Sequence, residues 1–148
     1  ERDWLQNVEM LTSIQEEGAY VVGIAKYDVY TIGSQEELDQ QALFWFTTFL
    51  LGKGDTSGFR YWVFDKEDYY DSGSPYFDYY LTPIGSPLGA YYKKEVYQRD
   101  FEGGKILVNP TDTSVTVLLE GDYEDLEGVT VREVTMDTHT GMILLNST

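Results

Sequence analysis

YQRDFEGGKILVNP, residues Tyr97 to Pro110, has the pattern of a β-hairpin. Tyr97, Arg99 and Phe101 alternate with polar neighbours. Gly103-Gly104 then turns the chain, and Ile106, Leu107 and Val108 run back. A Gly-Gly pair between two such runs suits a type I′ or II′ turn, both of which need positive φ. Asn109-Pro110 ends the second run, because proline has no N–H for a ladder and restricts the residue before it. The chain divides around this hairpin into a mixed, aromatic part before it and a part of short strands and turns after it.

The second part reads as all-β. Ser114 to Leu119 alternates as a strand, Gly121-Asp122 starts a turn, and Tyr123 to Gly128 is a polar connection. Val129 to Met136 alternates again, with a change of face near Arg132-Glu133. Asp137 to Gly141 turns, and Met142 to Leu145 closes. Short strands at near-regular spacing predict a small antiparallel β-sandwich or open barrel over residues 93–148.

The first part alternates helix and strand. Arg2 to Glu17 is amphipathic, with Trp4, Val8 and Leu11 on one face and Leu5 and Ile14 widening it. Gly18 is placed to end that helix. Ala19 to Ala25, AYVVGIA, is a continuous apolar run that predicts a buried strand. Ser34 and Glu37 form a capping box for a second helix reaching Leu51. That helix is apolar nearly all round from Leu38 onward, so it needs cover on several sides. A chain this short has little to wrap it, which argues for missing or partner structure. Gly58 to Phe64 is the next strand, completing a βαβ unit with parallel strands.

Residues 65–92 form a long segment rich in Tyr, Asp, Ser, Gly and Pro, with one short helical turn expected. Loops of this length are uncommon inside compact domains unless functional. Tyr69, Tyr70, Tyr76, Phe77, Tyr79 and Tyr80 supply rings that can stack on sugar C–H faces, and Asp65, Glu67, Asp68, Asp71 and Asp78 supply hydroxyl acceptors. The competing reading packs these rings onto the core and leaves the acids in water. Asp65, Glu67, Asp68 and Asp71 are also hard oxygen ligands suited to calcium. Their spacing lacks the fixed glycine and terminal Glu of an EF-hand, so no metal site is assigned.

RDFEGGKILVNPT, the alternating strands after it, and the closing GMILL resemble the C-terminal end of a glycoside-hydrolase-like family. Upstream, ALFWFTTFLLGKG is similar to the family's late barrel helix, and SPLGAYY to its entry into the small β-domain. The resemblance implies that residues 1–92 are the closing part of a (β/α)-barrel and that residues 93–148 are the β-domain after it. Active sites of such barrels lie at the carboxyl ends of the strands. The resemblance therefore directs Lys26, Tyr27, Asp28 and Asp65 towards a substrate cleft, with Tyr69, Tyr70 and Tyr76 beside it. It places the central acids upstream of residue 1, so no catalytic residue is carried over. It also implies an extracellular or cell-surface protein acting on polysaccharide or oligosaccharide, this chain alone being inactive.

Composition narrows the partners. The 148 residues carry a formal net charge of −16, which argues against nucleic acid and anionic membrane. No apolar run is long enough to cross a bilayer. There is no cysteine, hence no disulfide or thiolate chemistry. The single histidine, His139, falls in the turn DTHTG, away from any nucleophile, and no cofactor motif is present. The place of Arg99 and Asp100 in the family-like motif implies an ion pair where the two parts meet. Open parallel strands predict self-association or association with a missing N-terminal segment. The alternative function is a non-enzymatic carbohydrate-binding or structural, self-assembling domain.

Overall fold

The computed structural model describes residues 1–28, 33–64 and 76–147. Helix α1 spans Arg2–Glu16 and buries Trp4, Val8 and Leu11. Gly18 ends it at φ 82°. The amides of Gly18 and Ala19 return to the carbonyls of Gln15 and Ile14, at 2.9 and 3.2 Å, which is the Schellman arrangement.

Strand β1 (Val21–Asp28), helix α2 (Gln35–Gly52) and strand β2 (Ser57–Phe64) form the expected βαβ unit. The strands are parallel and in register from Val21 opposite Ser57 to Asp28 opposite Phe64. Ser34 caps α2 by accepting from the Glu37 amide at 3.2 Å. The return bond comes from the Gly33 amide, 2.8 Å from Glu37 Oε2, so the box closes one residue early.

The rest is a six-stranded antiparallel sheet. It comprises β3 (Tyr92–Lys93), β4 (Tyr97–Phe101), β5 (Gly104–Asn109), β6 (Val115–Glu124), β7 (Thr130–Met136) and β8 (Thr140–Asn146). The strand order is β3-β4-β5-β8-β6-β7. Alternate residues of β5 and β8 enter two different cores. Ile106, Val108 and Ile143 join Trp4, Val8, Leu11 and the α2 residues Phe44 and Phe49 to Leu51. Leu107 and Leu144 join Val96, Val117, Val134 and Met136 instead. Every residue of β5 is buried, which is why Ile106, Leu107 and Val108 follow one another without a polar residue between them. A register shift between Leu118 and Tyr123 bends β6, so that it pairs with β7 along most of its length and reaches β8 only at Tyr123 and Glu124.

The central hairpin forms as read, with one correction. Phe101 pairs with Gly104, so Glu102-Gly103 is the turn. Neither residue takes positive φ, which rules out types I′ and II′. The glycines are needed for space instead. A Cβ on Gly103 would lie 2.5 Å from the Pro83 carbonyl oxygen, and one on Gly104 would overlap the Leu144 carbonyl.

A second correction concerns the cover of α2. The chain supplies it: α1 on one side, β1 and β2 on another, and β5 and β8 on a third. Contact with β8 is close enough that a Cβ on Gly141 would overlap Thr47 Oγ1. Trp4 Nε1 ties α1 to α2 by donating to Thr48 Oγ1 at 3.0 Å.

Arg99 and Asp100 do not pair with each other. Arg99 reaches the carboxyl end of α2, where Nη1 donates to the carbonyls of Leu50, Leu51 and Lys53 at 3.1, 2.8 and 2.7 Å. Its Nε donates to the Gly89 carbonyl at 2.8 Å. Neighbouring strand residues point to opposite faces, so Asp100 turns away and meets Lys105 Nζ at 2.7 Å. Burial pulls the Lys105 ammonium down, but its bonds to Asp100 and to the Tyr92 hydroxyl outweigh this. The net shift is upward from the usual lysine value.

Candidate functional site

The parallel register brings the carboxyl ends of β1 and β2 side by side. Asp28 is opposite Phe64, the residue before Asp65. Lys26 is on β1, exposed, with its side chain on the face turned away from α2. Of Tyr27 and Asp28 the structure describes the backbone, which continues β1. Asp65, Tyr69 and Tyr70 lie outside the described residues, as do the calcium candidates Glu67, Asp68 and Asp71.

Tyr76 is described and exposed, with 62 % of its surface open. Its ring stands perpendicular to Tyr80 at 6.2 Å. The other rings after it turn inward around a single 3-10 turn, Asp78–Leu81. Tyr80 packs on Phe46 at 4.8 Å, and Phe77 stacks on Tyr79 at 5.0 Å with an interplanar angle of 11°. Phe77 also meets Tyr61 edge-on at 6.2 Å. The cluster therefore anchors the end of the long segment to α2 and β2. Tyr76 is the ring in it that presents a broad face to water.

Two hydroxyls in this cluster, those of Tyr79 and Tyr80, are buried and have no hydrogen-bond partner among the described residues. Burial raises both phenols, Tyr79 the more strongly, with Tyr80 pushed up to about 12. An unpaired buried hydroxyl is costly to hold, and each stays neutral well into the alkaline range. They are poor candidates for acid–base work at neutral pH.

A second feature lies along β1. The expectation of a fully buried strand fails on one face. Val21, Gly23 and Ala25 are partly covered, and Gly23 approaches Phe49 and Phe59. Val22 and Ile24 face outward with 49 % and 52 % of their surface open, next to Tyr20 at 67 %. Beside this strand runs a groove of about 350 Å³, lined by Val21 to Lys26 together with Val8, Met10 and Leu11 of α1 and Trp45 and Phe49 of α2. The run AYVVGIA carried the signal for a sheet buried on both faces, but nothing in it marked which face the chain itself would cover.

His139 sits at φ 52° in the turn before β8, exposed, as its place in DTHTG led one to expect. Its ring meets Phe44 edge-on at 6.1 Å, and Nε2 lies 3.7 Å from Asp112. Among the described residues, no group of three or more His, Cys, Asp or Glu is placed to hold a metal ion. No described helix is long and apolar enough to cross a membrane.

No protein-family model matches the sequence, and no curated protein matches it either.

Proposed function

We propose that the chain is the closing portion of a carbohydrate-active protein, contacting a saccharide at the carboxyl ends of β1 and β2. One observation supports the reading: the parallel register sets Asp28 across from Phe64, the residue that precedes Asp65 in the sequence. In parallel α/β sheets, ligands collect outside the carboxyl ends of the strands. Lys26, Tyr27, Asp28 and Asp65 supply hydrogen-bonding groups there. Tyr69, Tyr70 and Tyr76 supply ring faces for sugar C–H surfaces. On this reading the β1–β2 pair belongs to a (β/α)-barrel, and the β6–β7 hairpin laid over Leu107 and Leu144 gives the second part its sandwich character. The family resemblance adds an extracellular or cell-surface setting. Catalytic acids lie on other strands, so this chain alone binds without hydrolysing.

The alternative, a non-enzymatic binding or structural domain, draws on the inward packing of Phe77, Tyr79 and Tyr80, which leaves Tyr76 as the exposed ring of that cluster. Affinity electrophoresis through gels containing soluble polysaccharides tests both. Retardation by at least one polysaccharide, reduced in Asp28→Asn and Tyr76→Ala, is the expected result. Unretarded migration in every gel sinks the saccharide reading and leaves the structural one.

A further inference from the structure

We infer that the outer edge of β1 is the seat of a third parallel strand, supplied by the polypeptide that leads into Glu1. The inference deepens the closing-portion reading and rests on it.

The backbone supplies the first argument. The Val21 amide donates to Thr56 O at 3.0 Å, so Val21 and the alternate residues after it direct their backbone groups to β2. In a parallel ladder, each residue points its N–H and C=O to the same neighbour. Val22, Ile24 and Lys26 therefore point theirs to the other edge, where no strand pairs with them among the described residues. Both outer edges of the β1–β2 pair are open among the described residues, and two strands alone are a poor end state for a parallel sheet, because such sheets are normally buried on both faces and several strands wide.

The second argument is the placing of the helices. α2 covers the seam between β1 and β2. α1 lies beside α2 and in the same direction: Trp4 meets Thr48, and Gln15 meets Gly52 and Gly54 near the other end. It contacts β1 and flanks the groove along β1. α1 thus stands to the outer edge of β1 as α2 stands to the seam with β2. A strand entering that edge and continuing through Glu1 into α1 would repeat the unit already present, with the same strand direction and a crossover of the same kind. Met10, 55 % exposed, and the apolar groove wall would pack on its side chains.

A second copy of this chain fits less well. Edge-to-edge pairing about a two-fold axis would make β1 antiparallel to its mate and bring both α1 helices over one seam. It would also join two molecules that each carry a net charge of −16.

The test is amide hydrogen exchange on the native polypeptide purified from its source, compared with the 148-residue chain alone. In the isolated chain, the amides of Val22, Ile24 and Lys26 exchange fast, while those of Gly23 and Ala25 are slow. In the native polypeptide all five are slow, the outer three by a factor on the order of a hundred or more. Ile24→Pro removes one outward N–H and leaves the β2 ladder intact. It lowers the melting temperature of the native polypeptide more than that of the isolated chain. Fast exchange at Val22, Ile24 and Lys26 in a longer native polypeptide overturns the third strand and leaves the saccharide reading standing. A native polypeptide whose intact mass shows that it starts at Glu1 overturns the closing-portion reading itself. Protection that appears in the isolated chain only as its concentration rises assigns the edge to a second copy and overturns the inference.

Discussion

Replacing Arg99 with alanine tests whether the joint between α2 and the six-stranded sheet is held by one guanidinium. Arg99 gives hydrogen bonds to three carbonyls at the end of α2 and to Gly89. Those carbonyls have no further helical turn to accept from, and the helix dipole concentrates partial negative charge there. A hydrogen bond to a charged donor contributes about 1.5–3 kcal/mol, and a cation at a helix carboxyl end adds about 0.3–1 kcal/mol. Nη1 shares two protons among three oxygens, and Arg99 is half-buried, so water replaces part of what is lost. The expected loss for Arg99→Ala is therefore about 2–4 kcal/mol. For a chain of this length that is a fall in melting temperature of roughly 5–15 °C. Urea denaturation followed by tryptophan fluorescence measures it, since Trp4 and Trp45 both sit in or against the affected core. Arg99→Lys keeps the charge but not the planar fork, so it should recover less than half of the loss. A change below about 0.5 kcal/mol in Arg99→Ala, set against the bond strengths above, would refute the reasoning. So would full recovery by lysine, which would reduce the role of Arg99 to its charge.

Gly104→Ala should be severely destabilising or prevent folding, because the new methyl overlaps the Leu144 backbone. Gly128→Ala, at φ 78° with open space around it, should cost only about 1 kcal/mol; equal losses in thermal melts would remove the steric argument. Tyr80 has a folded-state value above its ordinary 10.0, at about 12, and Lys105 is also raised. Both contributions are thus intact below the unfolded values and are lost as pH rises through the folded ones, so stability should fall above about pH 10. Tyr80→Phe should make that fall shallower, as read from urea midpoints across the alkaline range. Asp100→Ala leaves Lys105, only 5 % exposed, with Tyr92 as its remaining partner; a loss of about 3 kcal/mol in urea melts is expected, and Lys105→Met in the same background should restore most of it.

Local signals in the sequence were readable where one residue type had one physical use. Ser34 with Glu37 and Gly18 after an amphipathic stripe stand where their chemistry puts them, and a hairpin forms over Tyr97 to Asn109 with a different turn. The errors arose where a residue's reason was tertiary. Gly104 has the sequence setting of a turn former, but its place is one where two backbones nearly touch. Arg99 has an acidic sequence neighbour, but a strand turns neighbours to opposite faces and sends Arg99 to a helix end far away in sequence. Helix α2 looked uncovered because nothing local announces that β8 will lie across Thr47. At the candidate site, Lys26 and Tyr76 are exposed. The inward turn of Tyr79 and Tyr80 depended on Phe46 and Phe59, partners that composition does not point to.

The shielding of α2 by the last strand has a consequence for how the chain is made. Phe44 to Leu51 leaves the ribosome long before Gly141 and Ile143, its cover, have been translated. At ordinary synthesis rates that interval is on the order of ten seconds. During it, the most apolar helix of the protein has α1 and the β1–β2 pair for company and an open flank towards the missing sheet. A nascent chain stalled before β8 should therefore be a strong client of hydrophobic-surface chaperones and a ready substrate for proteases. Release from both should coincide with the arrival of the final strand, so a truncation that removes only β8 would leave the upstream sequence intact and yet the protein unable to accumulate.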